Sequence, residues 1–183
     1  MGISRSFTRE LALIVTALLI FLAFPFIPTS SDAATTITLG SSNSFLLLST
    51  AGITNTGSSV MSGDVGNYPT NSITGFQTVN LIGTNHGADS TTQAALIDAQ
   101  TEFNTVQSST NTATLPFAVG TQTLTPGVYS GAGKFSGILT LDGGADPNSL
   151  FIFKLTSLLT VDNNSQMVLT NGASACNIYW AID

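Results

Sequence analysis

The 183-residue sequence has one cysteine, one histidine and only four positively charged side chains, and each scarcity excludes a class of explanation. With Cys176 alone no intrachain disulfide can form, so packing and backbone hydrogen bonds must hold the fold. With His86 alone there is no imidazole pair for zinc and no second ring for a proton relay. Arg5, Arg9, Lys134 and Lys154 stand against ten carboxylates. So few cations make a poor match for nucleic acid or for an anionic membrane surface, both of which require a basic patch.

Catalysis has correspondingly little to work with. Many serines are present, but no GxSxG nucleophile elbow accompanies them. Cys176, between Ala175 and Asn177 beside an apolar strand, is expected to be a buried, inert thiol. His86, flanked by Asn85 and Gly87, is expected in the loop leading into a helix. The best carboxylate pair, Asp142 and Asp146 in DGGADPN, sits among the Gly, Asn and Pro residues that a tight turn needs. Its spacing matches neither an EF-hand nor a calcium-binding β-roll. The chain is therefore expected to be no enzyme and to hold no metal and no cofactor.

What is present begins with a leader. Arg5 and Arg9 precede an apolar run from Leu11 to Phe24, followed by PFIPTSSDAA. This is the build of a secretory signal peptide, and the small residues at Ser31-Asp32-Ala33 place cleavage after Ala33. The alternative is an uncleaved membrane anchor, for which the run falls short of the roughly 20 apolar residues of a spanning helix. Residues 1–33 are thus read as signal peptide and 34–183 as one secreted, extracellular domain with one core. Asn163-Asn164-Ser165 is a glycosylation sequon, relevant only in a eukaryotic host.

From Thr121 to Asp183 short apolar runs, TQTLT, KFSGILTL, LFIFKL, SLLTV, QMVLT and NIYWAI, alternate with PG, GAG, DGGADPN, DNN and NGA. Leu, Ile, Val, Phe and Thr between such breaks are strand chemistry. A register of about twenty residues aligns Ile138 with Leu158 and Ile178, Leu139 with Leu159 and Tyr179, and Thr140 with Thr160, which suggests a solenoid, with a sandwich or open barrel as alternatives. Upstream, FLLLS, GITNTG, SVMSGDVGNYP and ITGFQTVNLIGT read as further strands, with Asn67-Tyr68-Pro69 a loop.

One segment has a different period. Leu96, Ala99, Phe103 and Val106 fall on one face of a helix over roughly residues 90–107, capped by Asp89 or Ser90. Asp98 and Glu102 are placed on its solvated side. A lone amphipathic helix in a β chain must bury its stripe against a sheet, here the flank of the solenoid. The segment after residue 33 also holds two dozen threonines, giving a surface that is polar without being ionic. Most of them serve simply as good strand residues.

In order along the chain, LGSSNSFLLLSTAGITNTG, SGDVGNYP, ITGF, HGAD before the helix, TLTPGVYS, LTLDGGADPNSLFIFKL and NGASACNIYW resemble the microbial ice-binding-like proteins, over essentially all of Leu39 to Asp183. The resemblance implies a mainly β fold, a right-handed discontinuous β-solenoid of triangular section with one long flanking α-helix. It implies adsorption to ice through a flat face and no bond chemistry. Carried over residue by residue, that face includes Thr50, Ala51, Ser72, Thr74, Thr84 and Thr156, although no regular T-x-T ladder repeats from coil to coil as it does in some relatives. Relatives continue past the NIYW strand, so this chain is expected to lack its last coils. It ends on an uncapped apolar strand whose edge favours association. An adhesion module binding an extracellular glycan or protein is the alternative function, and a polysaccharide lyase ranks behind both. Ice is the expected partner, with no nucleic acid, and a membrane only through an uncleaved leader.

Overall fold

The computed structural model describes residues 36–183, apart from Phe117 and Ala132. The expected signal peptide, residues 1–33, lies outside the described residues. After a 3-10 turn at Gly40–Ser44 the chain makes three short strands, β1 (Phe45–Ser49), β2 (Ile53–Thr54) and β3 (Ser59–Ser62). A second round follows as β4 (Asp64–Asn67), β5 (Ile73–Thr74) and β6 (Val79–Ile82), and β7 (Asn85–Gly87) opens a third. Each strand stacks in parallel on its counterpart in the preceding round, giving the sheets β1-β4-β7, β2-β5 and β3-β6. Short strands separated by corner turns therefore wind into a three-sided coil.

The chain then leaves this stack through helix α1 (Ser90–Ser108). Asp89 is its N-cap and accepts the Thr92 N–H at 2.9 Å. That is one of the orphan donors every helix start must satisfy. Beyond the helix a second stack begins with β8 (Ala113–Thr114), β9 (Ala118–Val119) and β10 (Gln122–Leu124). It continues as β11 (Gly127–Gly131), β12 (Lys134–Phe135) and β13 (Ile138–Asp142), then β14 (Phe151–Leu155), β15 (Thr160–Val161) and β16 (Gln166–Thr170), and ends on β17 (Ile178–Ile182). Its sheets are β8-β11-β14-β17, β9-β12-β15 and β10-β13-β16, again all parallel. The fold is a mainly β solenoid interrupted by one helix.

Helix α1 lies against the first side of both stacks, contacting β1 and β7 with one part of its length and β14 and β17 with another. Strand β14 is consequently buried on both faces. Phe151, Phe153 and Leu155 point into the coil interior. Ile152 turns outward and packs with Val106 of the helix, Val128 and Ala181. Inside, Phe153 stacks on Trp180 with ring centroids 4.2 Å apart, and Phe135 meets Trp180 edge-on at 5.2 Å. Such aromatic pairs add about 0.5–1.5 kcal/mol each beyond the area they bury.

Lys154, only 7% exposed, is also on the helix side of β14. Its ammonium donates to the Ser109 carbonyl at 2.7 Å and to the Gln107 carbonyl at 3.3 Å. These lie at the C-terminal end of α1, where the helix dipole favours a cation and the last carbonyls lack intrahelical donors. One buried charge thus ties the helix to the second stack.

Several sequence expectations change. Ile138 pairs with Gln166 and Phe151 with Ile178, while Leu158 lies in no strand and is 77% exposed. The aligned trio of Ile138, Leu158 and Ile178 is therefore not a structural repeat, because the turns of the second stack differ in length from coil to coil. A separation of twenty residues does hold in the first stack, as between Thr54 and Thr74. Cys176 is exposed rather than buried, because Ala175–Asn177 form a 3-10 turn ahead of β17 instead of joining the strand. Asp98 stays half-exposed on the wetter side, as expected, but it is not an idle surface charge. It accepts the Ser41 N–H at 2.7 Å and so anchors the helix to the turn before β1. Glu102 is half-buried with one carboxylate oxygen out of solvent.

Candidate functional site

The six sides of the two stacks differ in what they show to solvent. Alternate residues of a strand face opposite ways, so the burial pattern identifies the outward set. The first sides, β1-β4-β7 and β8-β11-β14-β17, meet the helix at β1, β7, β14 and β17. Sheet β9-β12-β15 carries an ion pair, Lys134 to Asp162 at 3.2 Å. Sheet β2-β5 is uncharged: Ile53 and Ile73 are half-buried, while Thr54 and Thr74 point outward. Their hydroxyls meet across the coils at 3.2 Å. One residue pair along, Gly52 lies beside Ser72, and a Cβ on Gly52 would sit 3.2 Å from the Ser72 hydroxyl.

The turns around this sheet are pinned by side chains. The Ser49 hydroxyl accepts the N–H groups of Ala51 at 3.1 Å and Gly52 at 3.0 Å, which fixes the turn bearing Thr50 and Ala51. At the far end the Asn55 amide donates to the carbonyls of Gly57 at 2.8 Å and Gly75 at 3.1 Å, and its oxygen accepts from Ser59 at 2.8 Å. Gly75 has φ 74, and a side chain there would place Cβ only 1.9 Å from the Asn55 carbonyl oxygen. Only glycine lets the two coils approach so closely at this corner.

Four of the six expected residues therefore converge: Thr50, Ala51, Ser72 and Thr74 all belong to sheet β2-β5 and the turns leading into it. Thr84 lies at another corner, between β6 and β7, where its N–H binds the Asp64 carboxylate at 2.8 Å. Thr156 lies in the second stack, exposed on the turn after β14, with its N–H bonded to the Gly131 carbonyl at 3.3 Å.

A second outward array, bearing one carboxylate at its end, Asp142, has no counterpart among the expected residues. On sheet β10-β13-β16, Leu124, Leu139 and Leu141 point inward and Thr123, Thr140 and Val168 form an outward row across three coils. Thr121 adjoins Ile138, whose N–H its hydroxyl accepts at 3.2 Å. The alternation in TQTLT was the available signal, but the seventeen and twenty-eight residues separating successive strands hide the stacking.

Apart from Asp142 at the end of β13, the titratable groups with shifted carboxyls lie away from these arrays. His86 Nδ1 is 3.0 Å from Asp89 and Nε2 is 3.6 Å from Asp64, so one ring bridges the helix cap and β4. His86 belongs to β7 itself and not to a loop. The Thr84 N–H, followed by the Ser44 side chain and His86, holds the Asp64 carboxyl below the ordinary aspartate range. The Thr92 N–H does the same for Asp89. Asp142 is lowered by the Gly144 N–H and the Asn171 amide, as its turn role requires. Among the described residues no group of three His, Cys, Asp or Glu side chains is placed to hold a metal ion.

Residues 47–183 match the sequence profile of a family described as ice-binding-like. An ice-binding protein of Nostoc sp. (strain HG1) is 38% identical over 168 residues, covering 90% of this chain and 62% of that protein. The chain thus spans less than two thirds of that relative's length. The crystal structure of an ice-binding protein from the Antarctic ascomycete Antarctomyces psychrotrophicus superposes with TM-score 0.75 at 36% identity, covering 81% of this chain and 74% of that one. An ice-binding protein from an Antarctic biological consortium gives TM-score 0.78 at 35% identity, covering 86% and 73%. By sequence over most of its length and by fold, this chain belongs to the ice-binding-like family.

Proposed function

We propose that the protein is exported after removal of residues 1–33 and adsorbs to ice through sheet β2-β5, making and breaking no covalent bond. The face comprises Thr50, Ala51, Ser72 and Thr74, with Thr54 added. The observation that carries this reading is the Thr54–Thr74 pair on adjacent parallel coils. Stacked strands repeat about every 4.8 Å, and outward residues recur about every 6.7 Å along each strand. Side chains on such a grid hold water at fixed spacings. The threonine methyl restricts where water can sit, the hydroxyl anchors one molecule, and β-branching holds the rotamer. A charged group would instead keep a mobile hydration shell, and this sheet has none. The names of the relatives support the same reading.

The test is to replace Ser72 and Thr74 with Tyr, separately and together. Both side chains are exposed, so the fold should survive. A ring standing out of the array should weaken ice-growth inhibition, with circular dichroism unchanged. Full inhibition by the double variant would remove this sheet from the face.

A further inference from the structure

We propose that Asn171 is a self-modification site, at which the protein converts its own amide to aspartate and isoaspartate and thereby loosens two adjacent coils. Three observations combine. Asn171 is followed by Gly172, the one Asn-Gly pair among the thirteen asparagines of the sequence. Both residues are exposed on the turn between β16 and β17, with φ of 48 at Asn171 and 86 at Gly172. The Gly172 N–H makes no hydrogen bond among the described residues, although its neighbour Ala173 N–H bonds the Thr170 carbonyl at 3.0 Å.

The chemistry needs only water. The Gly172 backbone nitrogen gives its proton to solvent base and attacks Cγ of Asn171. The Cγ–Nδ2 bond breaks, Nδ2 leaves with a proton from solvent as ammonia, and a five-membered succinimide closes. Water then opens either carbonyl of the ring, giving aspartate or isoaspartate. A side chain on the following residue hinders the attack, and glycine has none. The other asparagines lack this opening, including the four that precede serine, Asn43, Asn71, Asn148 and Asn164.

The consequence follows from what Asn171 holds. Its Nδ2 donates to the Asp142 carboxylate at 2.9 Å, and its carbonyl accepts the Ala145 N–H at 2.8 Å. Both partners lie at the turn between β13 and β14, so Asn171 joins two successive coils. Conversion to aspartate replaces that donor with a second carboxylate facing Asp142, and like charges at this distance repel. Isoaspartate also inserts a methylene into the backbone, which displaces the carbonyl from Ala145. The same turn that closes the coil thus contains the reaction that opens it.

Incubation of the full chain in mildly alkaline buffer, followed by peptide mapping by mass spectrometry and by isoaspartyl-specific enzymatic methylation, tests this. Asn171 should convert several-fold faster than any Asn-Ser site, and Gly172→Ala should slow it several-fold. A Cβ on Gly172 has room, its nearest neighbour lying at 3.4 Å, but φ 86 strains any side chain there, so circular dichroism must show this variant folded before its rate is compared. Asn171→Asp supplies one product directly. It should unfold at lower denaturant than wild type at neutral pH, with the deficit shrinking as acid protonates the pair. An intact Asn171 after the Asn-Ser sites have reacted, or an unchanged rate in Gly172→Ala, would overturn the assignment. An Asn171→Asp variant as stable as wild type would overturn the loosening.

Discussion

Replacing Lys154 with Met is the most informative single perturbation of the scaffold. Met keeps the length and most of the volume of the lysine stem but deletes the ammonium, so packing is conserved and the two carbonyl bonds are lost. A hydrogen bond from a charged donor contributes about 1.5–3 kcal/mol, and the 2.7 Å bond to Ser109 belongs in that range. The 3.3 Å bond to Gln107 adds less. Against these stands relief of the desolvation that a 7%-exposed ammonium suffers, itself a matter of several kcal/mol. The charged-donor range is already net of lost hydration, and removing the ammonium also leaves two carbonyls at a helix end without donors, so Met should cost about 2 kcal/mol. For a domain of this size that lowers the midpoint of thermal unfolding by about 4–8 °C. Denaturant titration followed by circular dichroism measures the difference, with an unchanged slope confirming that the folded state is preserved. A Met variant as stable as wild type, or more so, would show that desolvation cancels the bonds and would refute the role given to Lys154.

Other perturbations probe other joints. Gly75→Ala should destabilise by at least about 2 kcal/mol in the same titration, because it forces a Cβ against the Asn55 carbonyl at positive φ. Thr92→Val removes the buried bond from the Thr92 hydroxyl to the Gly87 carbonyl and should lower stability by about 1–2 kcal/mol, unfolding the helix together with the first stack. The carboxyls of Asp64, Asp89, Asp98 and Asp142 are held below their ordinary value of 3.8, so in the unfolded chain they bind protons at higher pH than in the fold. The stability they contribute should be complete above about pH 5 and lost as pH falls through the folded values, which urea midpoints measured between pH 7 and pH 2 will show.

Parts of this molecule were legible in its residues and parts were not. Helix α1 was readable because Asp89 is a strong cap and the apolar spacing is helical, and the structure places the helix within a residue of the expected ends. The expected strands FLLLS, LFIFKL and QMVLT appear as β1, β14 and β16. Strand β11, GVYSG, was hidden because glycine ordinarily marks a break. Here Gly127 and Gly131 serve close coil packing, since a Cβ would come within 2.6 Å of Thr112 and 2.8 Å of the Leu115 carbonyl oxygen. The anchoring role of Asp98 was not readable because helical periodicity does not reveal that a 3-10 turn 57 residues away brings the Ser41 N–H to its carboxylate. Thr50, Ala51, Ser72 and Thr74 came together because their two coils are twenty residues apart. The row of Thr123, Thr140 and Val168 stayed hidden because long turns separate its strands.

The central claim concerns ice, and growth of a single ice crystal in a solution of the purified chain tests it most directly. Adsorption through a regular face should produce faceted crystals and a measurable gap between melting and freezing points, with circular dichroism on the same sample showing β structure. A folded sample in which crystals grow as smooth discs, with no such gap, would contradict the account.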